Sequence, residues 1–290
     1  MILTFQISGR DCKIETGTPI DISIPLRFNG NQPSAYGVEP ATSKPVEAGD
    51  LVGDTRLGGS VNFEQYTFIP HCNGTHTECI GHITNERISV LDCLEDVFIP
   101  AVLVSVEPEA VGDDKQITRG LLERALTYVR AAIAGDTRAT VTIAKARASA
   151  RAIQTCALIV RTLPNDETKL ARRYDSENIP PYFTSDAMEF IVESGFKHLL
   201  VDLPSIDRLF DEGKLTNHRI FWNVDPGSKE VNNDSRLNST ITELIYVPNE
   251  IKDGEYLLNL QIAPFESDCA PSRPILLRRN LSANNANDRE

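Results

Sequence analysis

The stretch His71-Cys72-Asn73-Gly74-Thr75-His76-Thr77-Glu78-Cys79-Ile80-Gly81-His82 holds three of the chain's five histidines, together with a carboxylate and two thiols. Imidazole and carboxylate in such density suit Zn²⁺ or Mn²⁺, and the segment offers more donors than one four-coordinate ion takes from a single place. Some of these groups are therefore left over for chemistry. A hydrogen-bonded polar turn without a metal is the competing reading, and three histidines beside an acid within twelve residues weigh against it.

Local geometry orders the donors. Thr75-His76-Thr77-Glu78 is β-branched and alternating, so an extended chain sets His76 and Glu78 on one face and the threonines on the other. Counting back by twos from His76 reaches Cys72. His71 takes that place only if Gly74 adopts a positive φ and a bulge shifts the parity by one. Either His71 or Cys72 then faces the ion, and the Asn-Gly pair, which tolerates such a turn, favours His71. Thiolate ligation by Cys72 would call for Zn²⁺ specifically. Taken alone, Cys72 and Cys79 read as buried free thiols.

This run resembles the signature of the cyclase family of metal-dependent hydrolases, His-x-Gly-Thr-His-x-Asp-x-Pro-x-His, a family that includes bacterial kynurenine formamidase (arylformamidase) and isatin hydrolase. Gly74, Thr75, His76 and His82 match in place. One residue is inserted between the first His and the Gly, so that Cys72 occupies the expected His position; Glu78 replaces Asp, and Ile80 replaces Pro. Ile20-Asp21-Ile22-Ser23-Ile24-Pro25-Leu26 is similar to the family's opening strand, and Val201-Asp202-Leu203-Pro204-Ser205-Ile206-Asp207 to its later acidic turn. Asn217-His218-Arg219, Thr242-Glu243-Leu244 and the closing strand Pro271 to Leu277 extend the similarity over roughly residues 20 to 280.

The resemblance implies a fold, a ligand set and a reaction. The expected architecture is a single α/β domain over residues 1–280, of the swivelling β/β/α type, with a central mixed, barrel-like sheet and a frayed polar tail at 281–290. The implied ligands are His71 or Cys72, His76, Glu78, His218 and Glu243, enough for one or two zinc ions, with manganese as the alternative metal. The implied reaction is hydrolysis of a C–N bond in an amide, formamide or lactam by metal-activated hydroxide, as in an arylformamidase of tryptophan catabolism. His82, just beyond the ligand cluster, is the expected proton-transfer group, since an imidazole works in either direction near neutral pH. Its alternative role is to orient Glu78. Phe221, Trp222, Tyr182 and Phe183, near the ligand segments, are the expected substrate platform. A lactone or ester hydrolase, and a non-catalytic metal-binding protein on the same fold, are the competing functions.

Composition narrows the rest. At 290 residues and 41% hydrophobic, the chain can bury a substantial core without disulfides. A net charge of −12 leaves no basic stripe for phosphate backbones, so nucleic acid is not an expected partner. No apolar stretch approaches the roughly 20 residues that span a bilayer. Six scattered cysteines and an N-terminus without a basic head and long apolar run read as a cytoplasmic protein with reduced thiols. A homodimer or larger assembly acting on a small molecule is expected.

Periodicity places the elements. β-rich runs fall at Ile2 to Ile7, Tyr66 to Ile69 and Ala101 to Val106. A helix follows Thr118, and a second runs from Ser185 until Gly195 stops it. The apolar runs at 155–160 and His198 to Leu203 flank that second helix as strands, forming a β-α-β unit. The Gly- and Pro-rich loop from Phe28 to Gly59 reads as a solvated connection, with a pocket wall as the alternative. His198 reads as structural, Asp207 as a turn residue with support of a ligand as the alternative, and the polar insertion from Asn223 to Thr240 as a lid, a dimer arm or a long loop.

Overall fold

Alternation of buried side chains along one strand shows how the sheet is covered. In Phe98–Val106, Val102, Val104 and Val106 join one apolar cluster, whereas Ile99, Ala101 and Leu103 join another. A strand that buries both faces belongs in the middle of a sheet. The computed structural model, which describes residues 2–7, 10–133 and 156–280, places it there. The tail at 281–290 lies outside the described residues.

Ten strands form this sheet, in the order Ile2–Ile7, Arg10–Asp21, Ile275–Asn280, Gly254–Asn259, Phe98–Val106, Ala157–Thr162, His198–Val201, Thr240–Glu243, His76–Glu78 and Cys269–Pro271. The four strands from Phe98–Val106 to Thr240–Glu243 are mutually parallel, and those on either side pair antiparallel. The sheet is thus mixed, and the fold is α/β. Chain continuing past the second strand curls it. Ser23 bridges Ile245, Tyr246 N–H donates to Ile22 O at 2.8 Å, and Ile24 N–H donates to Thr75 Oγ1 at 2.6 Å. Residues far apart in strand order are thereby drawn together, as in a half-barrel.

Helices cover one face. Arg119–Ile133 presents Leu122, Leu126 and Val129 at helical spacing, and Thr118 Oγ1 accepts from Leu121 N–H at its start. Ser185–Glu193 buries Ala187, Met188, Phe190 and Ile191, and Gly195 follows with φ 82°. Because this helix links the parallel neighbours Ala157–Thr162 and His198–Val201, the β-α-β reading holds. Among the described residues no helix is long and apolar enough to cross a membrane.

Near the far edge of the sheet the helix-covered face changes character. Ile241 still belongs to the helix-side cluster, but Glu243, two residues on along the same face, is a buried carboxylate. The short helix Thr216–Trp222 packs on Ser185–Glu193 and places Phe221 and Trp222 in the same cluster as Ile241.

Candidate metal centre

Three neighbouring strands, Thr240–Glu243, His76–Glu78 and Cys269–Pro271, build the floor. Their register sets Glu243, His76 and Pro271 in one rung, and Ile241, Glu78 and Cys269 in the next but one. Side chains opposite each other or two apart share a face, so His76, Glu78, Glu243 and Cys269 converge. Thr77 points the other way and bonds Thr242, hydroxyl to hydroxyl, at 2.8 Å. The alternation expected for Thr75 to Glu78 is what the strand shows.

His71 reaches the same face by a different route from the one its sequence suggests. Gly74 is fully extended at φ 177° and ψ −174°, so no positive-φ bulge exists there. Instead, Pro70–Asn73 is a single helical turn, with proline at a first-turn position where its missing N–H costs nothing. Successive helical side chains diverge by about 100°. His71 therefore faces the centre while Cys72 does not join it; the extra residue is absorbed by a turn of helix rather than by a kink. Gly74 matters for space, since a Cβ there would meet the Leu26 side chain at 3.2 Å. Cys72 stays buried beside the cavity, its thiol pushed up to about 11 by desolvation.

His218 enters from Thr216–Trp222. Its Nδ1 lies 2.6 Å from Asp207 Oδ2, and Asp207 also accepts from the backbone N–H of Asn217 and His218 at the start of that helix. Asp207 is thus not an idle turn residue: it orients a histidine from eleven positions away. His218 Nε2 then faces Glu78 Oε1 at 3.0 Å. Glu243 is held on its other side by Ile206 N–H, which donates to Oε1 at 3.0 Å.

Asp268 and Cys269 complete the cluster. His71 lies with Nδ1 3.1 Å from Glu78 Oε2 and Nε2 3.0 Å from Asp268 Oδ2. His82 Nδ1 is 3.3 Å from that same Asp268 oxygen, and its Nε2 is 4.0 Å from Glu78 Oε2. Four overlapping groups, His71/His76/Cys269, His71/His82/Asp268, Glu78/His82/His218 and His76/Glu78/Glu243, each have ligand atoms within 4.8 Å of one another. No local pattern in sequence marks Asp268 and Cys269. Only the pairing of the closing segment with His76–Glu78 reveals them.

The donor set fits a divalent cation, and one atom argues this most directly. His76 Nδ1 lies 3.1 Å from Gly74 O, which places the proton on Nδ1 and leaves Nε2 with a bare lone pair. That Nε2 is buried, has no hydrogen-bond partner, and faces Glu243 Oε2 at 3.5 Å. A lone pair set against a carboxylate in a dry site needs positive charge between them. Elsewhere in the cluster protons meet that need. Burial opposes ionisation of Glu78, yet His82, His218 and His71 hold its carboxyl well below the usual range. Burial opposes charge on His218 as well, but Asp207 and Glu78 raise it well above an ordinary imidazole. Glu243 is raised by burial and then by the charge of Glu78. A metal ion held here would supply the same positive charge in place of these protons.

A cavity of about 620 Å³ opens above the cluster, lined by Tyr36, Pro204, Ser205, Leu209, Phe210 and Leu215 as well as His71, His82 and His218. Tyr36 comes from the loop read as a solvated connection. That loop is a wall instead, with Tyr36 held at φ 59°. The four aromatics expected as a platform lie elsewhere. Phe183, Phe221 and Trp222 are buried in the helix-side core, where Trp222 Nε1–H donates to Ser239 O at 2.8 Å. Tyr182 is half-buried, and its hydroxyl accepts from Gln116 Nε2 at 2.8 Å. Phe183, Phe221 and Trp222 are core because the strand and helix that carry them turn those side chains inward. His198 is structural as expected, with Nδ1 2.8 Å from Thr240 Oγ1 and Nε2 3.1 Å from Asp96 Oδ2. The insertion after Trp222 contributes nothing to this cavity. It is tied down by Arg236, which donates to Phe221 O and Phe196 O and stacks over the Phe221 ring at 4.8 Å.

Known proteins share this arrangement of chain. A kynurenine formamidase of Bacillus thuringiensis (strain Al Hakam) is 24% identical over 271 residues, covering 91% of this chain and 99% of that one. Isatin hydrolase A from Labrenzia aggregata superposes with a TM-score of 0.55 at 12% identity, over 90% of this chain and 93% of its own. A predicted metal-dependent hydrolase from Bacillus stearothermophilus superposes at 0.53 and 14% identity, over 90% and 98%. These structural likenesses concern the fold. The family model described as Cyclase matches residues 20–208, well over half of the sequence. With the signature histidines, the curled sheet and this match in agreement, the chain belongs to the cyclase family.

Proposed function

We propose that this protein is a metal-dependent hydrolase that cleaves a C–N bond in a small amide, formamide or lactam, with an aryl formamide favoured by its similarity to kynurenine formamidases. The observation that carries this reading is the unpartnered Nε2 of buried His76 against Glu243, beneath an open cavity whose rim holds His82. His71, His76, Glu78, His218 and Glu243 would hold the metal. Bound there, a divalent ion such as zinc supplies Lewis acidity toward a carbonyl and brings the pKa of a water near 7.

The chain's own residues supply the remainder. His82 is 28% exposed in its side chain and borders the cavity, so it can reach a substrate bound there. Asp268, held by His71 and His82 well below the usual carboxylate range, stays ionised and fixes the His82 ring through Nδ1. With that nitrogen engaged, Nε2 takes a proton from the attacking water and returns it to the leaving nitrogen, which otherwise departs as an unstable amide anion. Tyr36 and Phe210, both about half exposed, offer apolar surface for a small aromatic amide at the mouth. A homo-oligomer belongs to the same proposal, and light scattering that reports only a 32.1 kDa species would remove it.

The test is an activity panel of a formanilide, a lactam and a lactone, run before and after chelation. Turnover of an amide or lactam that disappears with chelator and returns with Zn²⁺ is the expected result. Turnover confined to the lactone would make the protein an esterase of the same design. Stoichiometric metal without turnover of any member would make it a non-catalytic metal-binding protein.

A further inference from the structure

We propose that Cys269 is a thiolate ligand of this centre, binding one metal ion together with His71 and His76 and biasing that position toward zinc. As a ligand, Cys269 extends the metal-binding reading above and depends on it. The register sets Cys269 directly opposite Glu78, on the ligand face of the sheet, and its side chain is 1% exposed. Its sulfur and the ligand nitrogens of His71 and His76 lie within 4.8 Å of one another, the span that one ion can bridge. His76 is also the residue whose buried Nε2 lacks a hydrogen-bond partner.

The other thiols near the signature are excluded by position. Cys72 belongs to none of the convergent groups. Cys79 Sγ turns to the far side, where it donates to Ile88 O at 3.3 Å and packs against Cys93. The helical turn that carries His71 inward brings a ring nitrogen within 4.8 Å of the Cys269 sulfur. The centre then has two unlike halves: a nitrogen and sulfur half at His71, His76 and Cys269, and a nitrogen and oxygen half at Glu78, His218 and Glu243. Soft thiolate selects zinc over manganese, whereas carboxylate and imidazole accept both. Ligation exchanges the thiol proton for the metal and releases that proton to solvent, with no change in oxidation state.

Cobalt(II) alone, added to chelator-stripped full-length protein, reads this directly, because thiolate-to-cobalt charge transfer gives a near-ultraviolet band that nitrogen and oxygen ligands do not. The wild type and Cys72→Ala should show the band, and Cys269→Ser should lose it while still binding cobalt. Proton release supplies a second readout: cobalt binding to the wild type should release the thiol proton along with any others displaced, and Cys269→Ser should release about one proton fewer per cobalt bound. Cobalt bound without the band, or a band that survives in Cys269→Ser, overturns the thiolate assignment and leaves the metal reading intact. Failure of the wild type to bind cobalt at all overturns both.

Discussion

His76 Nε2 and Glu243 Oε2 lie 3.5 Å apart across an antiparallel rung, both buried, with no hydrogen bond between them. A protein that had only to fold would not leave this contact, because an unsatisfied buried polar group costs about 1–3 kcal/mol. Replacing His76 by Ala removes the nitrogen. The expected outcome is loss of bound metal by elemental analysis and loss of hydrolysis, with circular dichroism unchanged. Metal retained at wild-type stoichiometry would show that the ion sits elsewhere.

Asp207→Asn tests a residue that touches no substrate. Its carboxylate fixes the His218 ring through Nδ1 and satisfies two backbone N–H groups of the following helix. Loss of such a support costs about 10- to 100-fold in metal affinity. A chelator-competition titration should show that drop. Unchanged affinity with reduced thermal stability would reduce Asp207 to a helix cap.

His82→Ala should keep its metal and lose about two to four orders of magnitude in turnover, the range for removing a positioned acid or base. Position is the reason: His82 borders the cavity, and its Nε2 stands 4.0 Å from Glu78. A variant that loses metal would make His82 a ligand.

Tyr36→Ala should raise KM for aromatic amides about three- to tenfold while sparing kcat, as expected for losing one aromatic contact of roughly 0.5–1.5 kcal/mol. Tyr36 and, from the facing segment, Ser205 both line the cavity. A fall in kcat with KM unchanged would place its hydroxyl in the chemistry instead.

His198 provides a pH test away from the metal. Burial lowers its pKa from 6.5 to about 4, against the pull of Asp96. A histidine whose folded pKa is depressed contributes stability that is complete above the unfolded value and is lost as pH falls toward the folded one. Between pH 6.5 and about 4 this single group should remove about 3 kcal/mol, on the order of the shift at 1.36 kcal/mol per unit. Urea unfolding of the chelator-stripped protein across that window, compared with His198→Gln, isolates the slope. Equal slopes in the two proteins would contradict the assignment.

Much of this site was legible because its signals are local. Alternation in Thr75 to Glu78 determines which side chains share a face, and that needs only the period of a strand. The helix after Thr118 and the Gly195 stop are likewise properties of a few adjacent residues. Parity across Gly74 was not legible. A one-residue insertion can be absorbed by a bulge or by a turn of helix, and only the packing of Pro70–Asn73 against its neighbours chose the second.

The chain by itself determined the α/β class and, through its family resemblance, singled out His76, Glu78, His218, Glu243 and His82 as residues that the fold then brings together. The tertiary structure alone decided that Asp207, Asp268, Cys269 and Tyr36 stand with them, and that Phe183, Phe221 and Trp222 do not line the cavity. Cys269 is 191 residues from Glu78 in sequence and its direct neighbour across a strand pair. Backbone pairing places such residues together through hydrogen bonds that carry no side-chain code, so no spacing rule along the chain announces them.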